Sequence, residues 1–217
     1  MTGAWESMTA LCDYMIRRQD AIIELVIDHA GLVFLAVLVA IVLGITLGLF
    51  CSYNEKLANV ILPFTQIMMT VPSIALMALL LPILGIGFRN ALVALIVYSL
   101  LPIVRNTYVG IKNIEPDILE AAKGMGMTEI SILSRIKVPM SLPVIIAGIR
   151  TAVVMVVGIG AIASYIGARG LGELIFRGIS RTNPQMIITG AILIAILAIV
   201  ADYGLGWLEK RMIKRQS

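Results

Sequence analysis

Five stretches of this chain are apolar enough to lie in lipid, and nothing constrains its fold more. A helix rises 1.5 Å per residue, so about 20 mostly apolar residues cross the hydrocarbon core. The candidates are residues 32–50, 58–84, 91–111, 142–165 and 186–207. Lipid offers no partner for backbone N–H and C=O groups, so each stretch is predicted to be a helix. Composition agrees: charged residues make up 14% of the chain, against roughly 25% in a soluble domain. The expectation is an all-α integral membrane protein with one transmembrane domain, residues 31–208.

The flanks differ from the spans. Residues 14–29 mix charges with Ile, Leu and Val, which predicts an amphipathic helix at the interface within an external segment, residues 1–30. His29 is read there as an interfacial polar residue. The N-terminus carries Glu6, Asp13 and Asp20 and is not read as a cleavable signal. The basic residues set the orientation. The segment 209–217 is a basic tail, placed in the cytoplasm. Lys56, Lys112, Lys123, Lys137, Lys210 and Lys214 then fall inside, and the N-terminus lies outside. Arg17, Arg18, Arg89, Arg169, Arg177 and Arg181 remain external, so the bias is imperfect. Cys12 and Cys51 fall on opposite sides of the first apolar run and suit neither a disulfide nor a metal site.

One segment breaks the apolar pattern and lies on the predicted cytoplasmic side, residues 112–140. It reads "EPDILEAAKGMGMTEISILSRIKVP" over positions 115–139. Pro116 suits the first turn of a helix, and Asp117 and Glu120 favour its positive end. Gly124 and Gly126 stop that helix. Thr128 is placed to cap a second short helix running to about Lys137, with Pro139 closing it. Ala121 and Ala122 leave a small-residue face on which another backbone can pack. A helical loop with such a face is a docking element.

The spacing Glu120-Ala121-Ala122, Gly126, Ile136, Pro139 resembles the cytoplasmic-loop signature of ATP-binding-cassette importer permeases. Val138 stands where leucine is usual. The runs "TVPSIALMALLLPILGIG", "ALIVYSLLPIVRNTYVGI" and "LPVIIAGIRTA" extend the resemblance over nearly the whole chain. They are similar to permeases of osmoprotectant importers for glycine betaine, carnitine, choline and related quaternary ammonium solutes. The external "GARGLG" departs from the family's "GAGGLG" at Arg169. The resemblance implies a type I permease fold in a bacterial cytoplasmic membrane, with a coupling helix between the third and fourth spans. Glu120, Ala121, Ala122, Gly126, Ile136 and Pro139 would engage a separate ATPase subunit that binds ATP and magnesium. It also implies a second permease subunit, a paralogue being favoured over an identical copy, and a separate extracytoplasmic solute-binding protein. No fused receptor domain is expected after the last span.

The chain has no G-x-x-x-x-G-K-[ST], nucleophile elbow or HExxH, so neither nucleotide chemistry, catalysis nor a metal site is expected within it. A stand-alone secondary transporter or channel is the alternative. Against it, the ionisable groups within the spans, Arg105, Arg150 and Asp202, lie towards the cytoplasmic ends and not at the midplane. A membrane enzyme or scaffold fits the loop spacing least. Aromatic residues are few and scattered, so selectivity among quaternary ammonium solutes is expected in the receptor.

Two further groups of residues stand out. Pro72 and Pro82, with Ser73, interrupt the second apolar stretch, and Pro102 the third. They either bend the helices or mark an unwound stretch beside a translocation path. Gly44 and Gly48 form a GxxxG pattern suited to close helix packing. Arg150 and Asp202 lie at similar depth in the fourth and fifth spans. They are read as a charge pair, within this subunit or across a dimer, the alternative being an arginine that reaches lipid headgroups and an aspartate in a wet interface.

Overall fold

The computed structural model describes the backbone of residues 2–213 and the side chains of residues 9–211, with helix interrupted only by short turns. Among the described residues, four helices are long and apolar enough to cross a membrane. They are α2 (Gln19–Tyr53), α5 (Phe88–Lys112), a continuous rod over Glu129–Ile166, and α10 (Pro184–Ile213). The second apolar stretch is a bent pair, α3 (Glu55–Thr70) and α4 (Ser73–Leu84), with 103° between them, so the count is five only if this pair is one span. The remaining helices are α1 (Thr2–Arg17), α6 (Pro116–Gly124), α7 (Glu129–Ile132) and α9 (Gly172–Ser180). The main body of the rod, Val138–Ala163, is α8.

The centre is built by α2, α5 and α8. Leu32, Ala36, Leu95, Tyr98, Val156 and Met77 of α4 meet in one buried cluster. Without a hydrophobic drive between helices in lipid, such contacts depend on close backbone approach at small residues. The GxxxG pattern supplies this between α2 and α5. A Cβ at Gly48 would come within 2.5 Å of Thr107 Cβ, and one at Gly44 within 2.7 Å of Ile103. On the other side of α5, a Cβ at Gly148 of α8 would lie 2.7 Å from the Pro102 carbonyl oxygen.

The structure corrects several local expectations. Residues 14–29 are not one interfacial helix: the chain turns at Arg18, and everything from Gln19 belongs to α2. That helix is 35 residues long and has no break at 30/31, because its buried face starts at Ile22 and Leu25 and continues at the same spacing. His29 is not interfacial. It is 0% exposed, its Nε2 lies 3.1 Å from the Val157 carbonyl oxygen, and its ring lies against Gly160 and Gly170. That oxygen, 128 residues away in sequence, gives the ring a polar partner inside the helix bundle.

Pro139 does not close a short helix. A π-turn over Leu133–Lys137 joins α7 to α8, and Pro139 falls in the first turn of α8. The change of hydrogen-bond register there removes the need for its N–H. The basic tail is also not a separate segment, since α10 continues past Glu209. Lys214 and the residues after it lie outside the described residues.

The Gly48 contact generates a direct test. Gly48→Ala should destabilise the protein by about 1–3 kcal/mol through overpacking against Thr107. Gly31→Ala, where nothing lies within 4 Å, should leave stability unchanged or slightly raised. Thermal unfolding in detergent measures both, and equal midpoints would mean that α2 and α5 are not held at this distance.

Candidate functional site

The segment 112–140 folds as a capped helical hairpin. Pro116 starts α6, as its fixed φ and missing N–H favour, and Asp117 lies in the first turn. The helix ends in a Schellman cap. Met127 N–H donates to Ala122 C=O at 3.1 Å and Gly126 N–H to Lys123 C=O at 2.9 Å. Gly126 has φ +79, a conformation that costs other residues about 1–2 kcal/mol. Thr128 then caps α7, its side chain accepting from Ser131 N–H at 3.3 Å. Lys123 pairs with Glu129 across the turn at 3.2 Å. The hairpin is anchored to the end of α2 by Lys137, whose Nζ lies 3.2 Å from Tyr53 Oη and over its ring.

This geometry sorts the residues singled out in the sequence. Glu120 and Ala121 are exposed, and Gly126 is exposed at the turn. Ala122 is 1% exposed, so it faces its own subunit and not a partner, which corrects its assignment to the docking face. Ile136 and Pro139 are half-buried in the π-turn and the start of α8. What the sequence reading missed is apolar: Met125 and Ile130 protrude from the tip, 75% and 80% exposed. Their position beside Gly124, Gly126 and Thr128, all turn or cap residues, was the available signal.

The bent pair α3–α4 breaks at Val71 and Pro72, both in extended conformation. Proline disfavours helix at the preceding residue, which ends α3, and the Pro72 carbonyl starts α4 by accepting from Ala75 and Leu76 N–H. The freed carbonyls find partners. Tyr98 Oη of α5 donates to Val71 C=O, and Thr70 Oγ1 donates to Ile67 C=O at 2.8 Å. Farther along, Asn90 of α5 donates to Met77 C=O and Gly85 C=O, each at 3.0 Å. Tyr98 and Asn90 therefore fasten α4 to α5. Pro72 and Pro82 are exposed and Ser73 is half-buried. Pro82 lies within α4, two residues before its end at Leu84.

Arg150 and Asp202 are brought together. The guanidinium bonds both carboxylate oxygens of Asp202, Nη2 to Oδ2 at 2.9 Å. A third member was not expected: Glu209 accepts from Arg150 Nη1 at 3.1 Å. The three residues line a cleft of about 510 Å³ between α8 and α10. Asp202 and Glu209 are seven residues apart, two helical turns, which puts both on the face of α10 that Arg150 reaches.

At the opposite end of the helices, Arg169 binds α2. Its Nη2 lies 3.2 Å from Glu24 and its Nε 3.2 Å from Asp28. The departure from glycine is tolerated because the positive φ values of this turn belong to Gly167 and Gly170, not to residue 169. Among the described residues no group of His, Cys, Asp and Glu is arranged to hold a metal.

Residues 40–214 match the family described as "Binding-protein-dependent transport system inner membrane component". The chain is 44% identical over 204 residues, 92% of its length and 93% of the relative's, to the osmoprotectant import permease protein OsmW of Salmonella typhimurium. It is 42% identical over 177 residues, 81% of its length and 77% of the relative's, to the glycine betaine/carnitine/choline transport system permease protein OpuCD of Bacillus subtilis. To the carnitine transport permease protein OpuCB of Listeria monocytogenes it is 39% identical over 185 residues, 85% of each chain. The fold is similar to a chain of the MetNI methionine ABC transporter in an inward-facing conformation. The TM-score is 0.82 at 21% identity, over 90% of this chain and 98% of that one.

The three-membered charge cluster predicts the outcome of a charge exchange. Asp202→Asn should lower the unfolding temperature, because Arg150 loses its two-pronged partner. The exchange Arg150→Asp with Asp202→Arg should restore little, since the new carboxylate at position 150 would face Glu209. Adding Glu209→Gln should restore more. Equal unfolding temperatures for the double and triple variants would mean that Glu209 is not part of the cluster.

Proposed function

This chain belongs to the binding-protein-dependent transport system inner membrane components, and from that premise we propose that it forms the solute path of an ATP-driven osmoprotectant importer. It is a membrane-embedded permease component. The proposed cargo is a quaternary ammonium solute such as glycine betaine, carnitine or choline. The observation that carries this reading is the match along nearly the full chain to permeases named for those solutes.

Hydrolysis of ATP comes from a separate subunit, and an extracytoplasmic receptor delivers the solute. A second permease, a paralogue in preference to an identical copy, completes the path. The N-terminus lies outside and the 112–140 hairpin in the cytoplasm, where it meets the ATPase. The docking tip is Glu120, Ala121, Met125 and Ile130, with Gly126 holding its shape. Two bare apolar side chains on a rigid, capped hairpin suit a groove in a partner, because burying them there gains about 25 cal/mol per Å² of apolar surface taken out of water. Ile136 and Pro139 transmit the contact through the π-turn into α8. The elbow at Pro72 and Ser73, with α4 out to Pro82, flanks the path. In this reading α4 moves with α5, and the rotation falls on the two extended residues at the break.

Reconstituted with its partners in liposomes, the permease should accumulate labelled glycine betaine, carnitine or choline only when ATP and receptor are present. Accumulation without ATP would replace this reading with a secondary transporter. For the hairpin, Met125→Glu with Ile130→Glu should release the ATPase or uncouple its hydrolysis from uptake while thermal stability is kept. These side chains are already solvent-exposed, so the pair separates docking from folding in a way that Gly126→Leu, which breaks the Schellman cap, cannot. Normal uptake by the double variant would remove the tip from the interface.

The elbow makes its own prediction. Single cysteines at successive positions from 72 to 84 should include some that react with a water-soluble thiol reagent, at rates that change when ATP is added. Uniform inertness in both states would mean a lipid-facing α4.

A further inference from the structure

The seam between α2 and α10 carries a positive pocket at one end and an apolar furrow along its length. Neither belongs to the hairpin or the elbow. At the end remote from residues 112–140, a cavity of about 180 Å³ has Arg18, Arg177, Arg181, Glu173, Tyr14 and Asn183 in its walls. Arg177 is neutralised by Glu173 at 3.0 Å. Arg18 and Arg181 have no ion-pair partner among the described residues. The pocket therefore has a surplus of two positive charges.

Arg181 is set by a tight turn between α9 and α10. Arg181 N–H donates to Arg177 C=O at 3.0 Å and Asn183 N–H to Gly178 C=O at 2.8 Å. Between them Thr182 is held at φ +50, an uncommon state for a β-branched residue. Met186, the last pocket residue on α10, is buried beside Ile22 and Leu25 of α2. The arginines thus lie within a helical turn or two of where the apolar surface begins, the level of lipid headgroups.

Farther along the seam, α2 and α10 part over α8 and leave a furrow of about 310 Å³. Its walls include Val33, Phe34 and Val37 of α2, Val153 of α8, and Leu197 and Ala201 of α10. Leu25 and Val33 are eight residues apart, roughly 12 Å along the helix, which is within the depth of one leaflet. Two unpaired cations above an apolar furrow are complementary to an amphiphile with an anionic head. A helix from another chain would match the furrow but offers nothing to the arginines.

We propose that the α2–α10 seam binds an anionic phospholipid, its phosphate held by Arg18 and Arg181 and one acyl chain lying in the furrow. A zwitterionic headgroup would bring an ammonium into a pocket already in positive surplus, so the site discriminates between the two. The proposal rests on the chain spanning a bilayer and not on the transported solute or the orientation.

The test is native mass spectrometry of the permease complex released from nanodiscs of equal phosphatidylglycerol and phosphatidylethanolamine. The wild type should retain phosphatidylglycerol in preference by about tenfold or more, and Arg18→Gln with Arg181→Gln should abolish that preference. Arg18→Lys with Arg181→Lys should keep it, because both charges remain. Ala201→Trp, which fills the furrow, should reduce retention of phosphatidylglycerol. Equal retention of the two lipids by the wild type, or an unchanged preference in the glutamine variant, overturns the proposal. Loss of preference in the lysine variant would mean that the arginines act through packing, and also overturns it. So does full competition by soluble glycerol phosphate, which has no chain, or a disulfide between cysteines placed at position 201 of neighbouring permease chains. None of these readouts depends on uptake, so failure here is distinct from failure of the transport reading.

Discussion

Close backbone contact between α2, α5 and α8 underlies the other features of this chain. Lipid tails are as apolar as the side chains they would replace, so helices in a bilayer gain little from hiding apolar surface against one another. They gain from dispersion contacts, which need short distances. Gly44 and Gly48 let α2 settle on Ile103 and Thr107 of α5, and Gly148 lets α8 settle on Pro102 and Asn106. With that triad fixed, α5 can hold α4, and α8 can present Arg150 to α10 and accept His29 from α2.

A second constraint follows from the same solvent. Wherever a helix breaks among the apolar segments, its carbonyls need new partners. The elbow at Val71 and Pro72 is tolerated because Tyr98 reaches its open carbonyl from the neighbouring helix. Asn90 does the same at the far end of α4. The break is thereby a defined bend, with α3 held to α5 on its own side by the Glu55–Lys112 ion pair at 3.4 Å. The hairpin at 112–140 solves the equivalent problem by itself, with a Schellman cap on α6 and a threonine cap on α7. Its Lys137–Tyr53 contact adds a tie to the end of α2.

The charges link neighbouring elements. Arg150, Asp202 and Glu209 tie the middle of α8 to the second half of α10. Arg169, Glu24 and Asp28 tie the loop before α9 to the first part of α2. The seam between α2 and α10 lies outside both clamps and is filled by neither.

Several of these features could be read from the residues alone. Runs of apolar side chains force helices in lipid, Pro72 forces a break, and Pro116, Gly126 and Thr128 start, stop and restart the hairpin, because each acts through its own backbone or the next few residues. That Arg150 and Asp202 fall within the fourth and fifth apolar stretches is likewise a matter of counting. What the sequence could not supply were partners distant along the chain. From sequence His29 looks interfacial, because Val157 cannot be seen from position 29. Ala122 falls on the small-residue face, because helical periodicity identifies a face but not what lies against it. Pro139 looks like a stop, because a π-turn has no local signature. Glu209 joined the pair, Tyr98 took the Val71 carbonyl, and α2 and α10 parted, only once the helices had packed. Local backbone chemistry is written residue by residue. The side-chain partners of buried and interhelical groups are fixed by the angles and distances at which the helices meet.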